Sequence, residues 1–207
     1  MINADDLIKR DSLNVISKEK IESERLRIQK LLDSYHSEEL KLETLENLAK
    51  KRLPADIQKF VFINMAMIHE HKSWWTNAAK YYRNAADIAV TFKEREDLYM
   101  KEVEMYIKAM MYNFADESMK KAMDAIANQK NREIIKNKVR DIYLNEARMC
   151  EMTEKRTHAI KAYEKALVFI PETQLDLKNS ILNKLVILYE RVGKVRDSMQ
   201  LRDRLKK

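Results

Sequence analysis

The chain has 207 residues, of which 45% are hydrophobic and 35% charged, with one Gly and two Pro. An apolar share of that size excludes wholesale disorder. Gly and Pro far below their usual shares of roughly 7% and 5% argue against strand-and-turn architectures and for an all-α chain. The formal net charge of +7 is uneven: residues 1–52 carry 11 basic and 11 acidic side chains, residues 171–207 carry 9 and 5.

The start, Met1-Ile2-Asn3-Ala4-Asp5-Asp6-Leu7, has neither the basic nor the apolar region of a secretory signal. The longest apolar stretch, Phe60 to Ile68, is interrupted by Asn64 and falls short of the roughly 20 residues a membrane span needs. A single cysteine, Cys150, can form no internal disulfide, which suits a reducing compartment. The expectation is a soluble, cytoplasmic protein.

In chain order, residues 1–16 read as a disordered N-terminus, 17–52 as a helical hairpin or cap, and 53–207 as a repeat array closed by a capping helix. The hairpin carries an apolar stripe of Ile21, Ile28, Leu31, Leu32 and Tyr35, then one of Leu42, Leu45, Leu48 and Ala49. A stack of repeats has to cover its first apolar face, which gives these two helices their role. Periodicity and caps predict helices over 17–34, 37–51, 54–71, 74–91, 94–111, 113–128, 130–152, 155–170, 173–192 and 194–206. Ser37 before Glu38 and Glu39, Pro54 at a helix start and Thr173 after Pro171 mark three of the beginnings. Connections this short force neighbouring helices to pack antiparallel.

One pattern recurs on alternate helices. Ala159, Tyr163 and Ala166 lie on one face, with Ala147 and Cys150 on the helix before. Ala78, Tyr82 and Ala85 repeat it after Ala66, and Ala115, Met119 and Ala122 repeat it after Tyr106. A fourth copy runs Leu185, Tyr189, Gly193 and then Ser198. The second-helix starts Ala78, Ala115, Ala159 and Ser198 are 37, 44 and 39 residues apart. Small residues at these places allow helices to approach closely, and the aromatic fills the gap to the next pair.

This pattern resembles the tetratricopeptide repeat, a helix-turn-helix unit of about 34 residues, over residues 54–207. The chain departs from it in having longer, irregular units, no Trp-x-x-Leu-Gly signature and one repeat, ending at Pro171, that closes on proline. HEAT or armadillo units of about 40 to 47 residues match the spacing but not the Ala, Tyr, Ala order. The resemblance implies a right-handed α-solenoid of about five antiparallel helix pairs whose inner surface is lined by the first helix of each pair. Those positions are Ile63 and Met67, Met100 and Glu104, Leu144 and Arg148, Asn183 and Ile187. A largely apolar, Met-rich groove suits a peptide or helix of a protein partner. Relatives that clamp a peptide's C-terminal carboxylate use Lys and Asn where this chain has Ile63 and Met67, so that activity is not expected.

Two further features are candidate contacts. The tandem Trp74-Trp75 at a turn either packs between hairpins or serves as an aromatic anchor. The C-terminal Arg191, Lys194, Arg196, Arg202, Arg204, Lys206 and Lys207 read either as a solvated capping helix or as a basic patch for RNA or a ribosome. No aromatic interleaving accompanies them, which argues against base stacking.

Catalytic patterns are missing. His69-Glu70-His71 puts two imidazoles about 200° apart on a helix, where a zinc pair needs them at i and i+4. No Glu lies three residues before any of His36, His69, His71 or His158, as a helical di-iron site requires. Cys150 falls on an inter-helix face, where a cysteine acts as a small hydrophobe. The expected protein is a non-enzymatic adaptor or scaffold without metal or cofactor, and the alternative is an RNA- or ribosome-associated factor.

Overall fold

The computed structural model describes the backbone of residues 4–124 and 129–205. Among the described residues there are ten helices: α1 (Ala4–Asp33), α2 (Glu38–Ala49), α3 (Ala55–His71), α4 (Trp75–Asp87), α5 (Phe92–Lys108), α6 (Tyr112–Asp124), α7 (Gln129–Met152), α8 (Arg156–Leu167), α9 (Leu175–Arg191) and α10 (Val195–Leu205). The protein is all-α, and its helices pack as neighbouring pairs in sequence order, as in a helical-repeat solenoid. Two compact units divide it, residues 1–94 and 95–207.

α1 differs from the sequence expectation. Its helix begins at Ala4 rather than near residue 17. The stretch carries neither Gly nor Pro, and without a breaker nothing in the sequence opposes extension of the helix toward the N-terminus.

In the first unit, α3 is the central helix, packed against α1, α2 and α4. Ile28, Leu32, Leu45, Ile57, Val61 and Met65 form its core. Ser37 caps α2 by accepting the Glu39 N–H at 3.2 Å. Pro54 precedes α3, where its missing N–H costs nothing, and its carbonyl accepts from Ile57 and Gln58. Lys59 is buried, with its ammonium 3.2 Å from Asp56 and 2.8 Å from Glu94. Burial works against that charge, but Glu94 and Asp56 outweigh it and hold the Lys59 pKa above its ordinary value.

In the second unit α7 packs on α8 and α6, α8 on α9, and α9 on α10. Tyr143 stacks on Phe169 at 6.1 Å and meets the edge of Tyr112 at 5.6 Å. Ala159, Ala162 and Ala166 of α8 are buried, as close helix approach requires.

The four hairpin turns, α3–α4, α5–α6, α7–α8 and α9–α10, share one backbone geometry. Ser73, Met110, Glu154 and Gly193 have φ of 58°, 60°, 58° and 77°. Their N–H groups donate to Glu70, Ile107, Glu151 and Glu190 at 2.9–3.1 Å. The next N–H in each turn, on Trp74, Met111, Lys155 and Lys194, donates to His69, Tyr106, Cys150 and Tyr189 at 2.8–2.9 Å. This paired arrangement is the Schellman cap, which satisfies carbonyls at a helix end by admitting one left-handed residue. Each left-handed residue stands five positions before Ala78, Ala115, Ala159 or Ser198, all of them buried. The spacings of 37, 44 and 39 residues are therefore spacings of one repeated turn.

A side-chain pair spans the hairpins in the same register. The Tyr82 hydroxyl donates to Glu70 at 2.8 Å, and that of Tyr163 donates to Glu151. In the last hairpin Arg202 takes the tyrosine's place and pairs with Glu190 at 2.6 Å. In α5–α6 both members of the pair are apolar, Ile107 and Met119. Both members change together, so Met119 in the second copy departs from the pattern without leaving a carboxylate unpaired.

Candidate functional site

The helix-to-helix link between α7 and α9 marks the candidate surface. Lys184 of α9 donates to Glu151 of α7 at 3.1 Å and to the Tyr163 hydroxyl at 3.3 Å, and its ammonium lies 5.6 Å from the Tyr163 ring centre. Nearer the start of α7, Arg140 donates to Gln174, which precedes α9, at 3.2 Å. Between these ties α7 exposes Asn145 and Arg148, which are joined at 3.2 Å, and α9 exposes Asn183; Ile187, at 50% exposure, lies one turn beyond Lys184.

The expected groove residues divide by burial. Met67 is 55% exposed on α3, with Ile63 half-buried. Arg148, Asn183 and Ile187 are exposed on the second unit. Met100 and Leu144 are buried, at 7% and 6% exposure, and they correct the expected lining. Each sits beside core residues of its own helix, Val103 and Met105 on α5, Tyr143 and Ala147 on α7, and one position around a helix is 100°. Glu104 is half-buried between Lys101 at 3.3 Å and Lys108 at 2.9 Å. Burial raises its pKa, but the two ammonium groups prevail and hold it below the usual carboxylate range. The exposed members of the set are thus more polar than a Met-rich groove. Asn145, Met149 and Met152, all exposed on α7, were not among the expected contacts. Asn145 could have been found from its spacing three residues before Arg148.

The two tryptophans part company. Trp74 is 49% exposed, with the Lys72 ammonium 4.9 Å from its ring centre, while Trp75 is half-buried. Beneath Trp74 lies buried His69, 5.5 Å from that ring and stacked on Tyr81 at 5.2 Å, with Nδ1 lacking a hydrogen-bond partner. Burial holds the His69 pKa below its ordinary value; Glu46 opposes this and Lys72 adds to it.

At the C-terminal end Arg191, Lys194, Arg196, Arg202 and Arg204 are exposed, and Lys206 and Lys207 lie outside the described residues. Arg202 is engaged by Glu190, Lys194 lies 5.7 Å from the Tyr189 ring centre, and Asp197 and Asp203 interrupt the run.

Cys150 is buried and its thiol lies 3.5 Å from Glu146. Burial first, then the Glu146 carboxylate, pushes the thiol up to about 11. Among the described residues no group of three or more His, Cys, Asp or Glu side chains is arranged to hold a metal ion. Among the same residues no helix is long and apolar enough to cross a membrane.

No family model matches the chain, and no curated protein matches it. Among solved structures it is similar to BtubC (BKLC) from P. vanneervenii, with 18% identity over 97% of this chain and 83% of that one, at a TM-score of 0.39. A score that low carries no argument about function.

Proposed function

We propose that this protein is a cytoplasmic, tetratricopeptide-like repeat adaptor without catalytic activity, which holds a peptide or helix of a partner protein on its first helices. The carrying observation is that Arg148 on α7 and Asn183 and Ile187 on α9 are exposed on two first helices joined by the Glu151–Lys184 tie. An apolar side chain beside amide and guanidinium groups offers both burial for a partner's hydrophobic residue and hydrogen bonds to its backbone. α4 and α8 bury their Ala and Tyr residues in the stack, which supports the first helices as the contacting face. Affinity purification at low and high salt, with bound protein and bound RNA both measured, tests the reading. Protein retained at high salt is expected; RNA as the bound material, lost steeply with salt, would contradict it.

A further inference from the structure

A cleft of about 300 Å³ opens between α8 and α10 above α9. Its apolar floor includes Leu182 and Leu185, and Leu201 of α10 forms part of its wall. Glu164 and Asp197 stand at its rim near Tyr189, whose hydroxyl donates to Glu164, and Arg204 also lines it. Arg202 has an intramolecular ion-pair partner, but neither Asp197 nor Arg204 has one among the described residues.

The order of these groups along α10 says what fits. Asp197, Leu201 and Arg204 face the cleft over two turns, ~10 Å of helix. A helix laid antiparallel against them has to present a cation opposite Asp197, an apolar residue in the middle and an anion opposite Arg204. Reversed, α10 supplies both charges, Arg204 of one copy meeting Asp197 of the other, and it brings Leu201 of each copy to the centre beside the other's Gln200. A patch complementary to itself under a two-fold rotation is what an isologous dimer requires. The arrangement also brings each arginine toward two carboxylates, Asp197 and Glu164.

We propose that this cleft is a homodimer interface, in which α10 of a second copy lies antiparallel on α10 and inserts Leu201 over the apolar floor. The surface is separate from the α7–α9 strip, so partner binding and self-association can fail independently.

Sedimentation equilibrium on the full chain over a concentration series tests the proposal, with circular dichroism as the check on folding. The wild type is expected to dimerise. Asp197→Arg alone and Arg204→Asp alone are each expected to weaken the dimer by about tenfold or more, because a like-charge pair replaces each of two symmetric ion pairs. The combined Asp197→Arg, Arg204→Asp variant restores opposite charges and is expected to regain the dimer, while Leu201→Glu is expected to abolish it. A wild type that stays monomeric throughout, as it would if another chain segment or a different protein filled the cleft, overturns the proposal. So does a dimer indifferent to Leu201→Glu, or a combined variant that folds but does not reassociate.

Discussion

The α7–α8 and α9–α10 hairpins have the same turn and spend it differently. Both close with the same pair of backbone hydrogen bonds, yet the left-handed residue is Glu154 in one and Gly193 in the other. α8 buries Ala159, Ile160, Ala162, Tyr163 and Ala166, whereas Ser198 is the buried residue of α10. Across the first hairpin Tyr163, Glu151 and Lys184 form a half-sheltered network; across the second, Arg202 and Glu190 make an exposed ion pair. The backbone sets the repeat, while burial of the second helix decides how much each copy contributes to stability.

The strongest way to break this contrast is to truncate the matching side chains. Tyr163→Ala is expected to cost about 4 kcal/mol, since it opens a large cavity in a closed core and leaves Glu151 with Lys184 alone. Arg202→Ala at the corresponding place is expected to cost at most about 0.5 kcal/mol, as exposed ion pairs usually do. Chemical denaturation monitored by circular dichroism measures both.

The turns give a smaller effect of opposite sign. Gly193→Ala is expected to destabilise by about 1 kcal/mol through its positive φ, because a Cβ there meets nothing within 4 Å. Glu154→Gly is expected to stabilise by about 1 kcal/mol by relieving the same strain. Equal, same-sign shifts would show that the two turns are not equivalent.

The subtlest contrast lies four residues before the left-handed position, where α7 has Cys150 and α9 has Tyr189. The folded thiol is held at about 11 against an ordinary 9.0, so the folded state binds that proton more tightly than the unfolded chain does. Its contribution to stability is intact below the unfolded value and declines as pH rises from there toward about 11. A thiol reagent at pH 8 is expected to leave Cys150 unmodified in the folded protein and to label it at once in denaturant.

Much of this was legible in the sequence. The Ala, Tyr, Ala faces and their 37, 44 and 39 spacings coincide with the repeated turn because close approach demands small residues at fixed distances from the cap. What the pattern did not reveal is which side of a first helix stays open. Register alone places Met100 and Leu144 in the groove, but in α5 and α7 apolar residues extend around more than one face, and burial depends on neighbours that periodicity cannot show. The left-handed Ser73, Met110 and Glu154 were equally hidden, since only Gly193 announces a positive φ by its residue type.

The proposed function assigns partner binding to the first helices and the stack to the second helices, with α10 left for self-association. Quantitative affinity purification with Arg148→Glu/Ile187→Glu on α7 and α9, set beside Lys161→Glu on the exposed side of α8, tests it most directly. The first variant, still folded, is expected to lose the partner retained by the wild type, while Lys161→Glu keeps it. Retention by the first variant, or loss with Lys161→Glu, would contradict it.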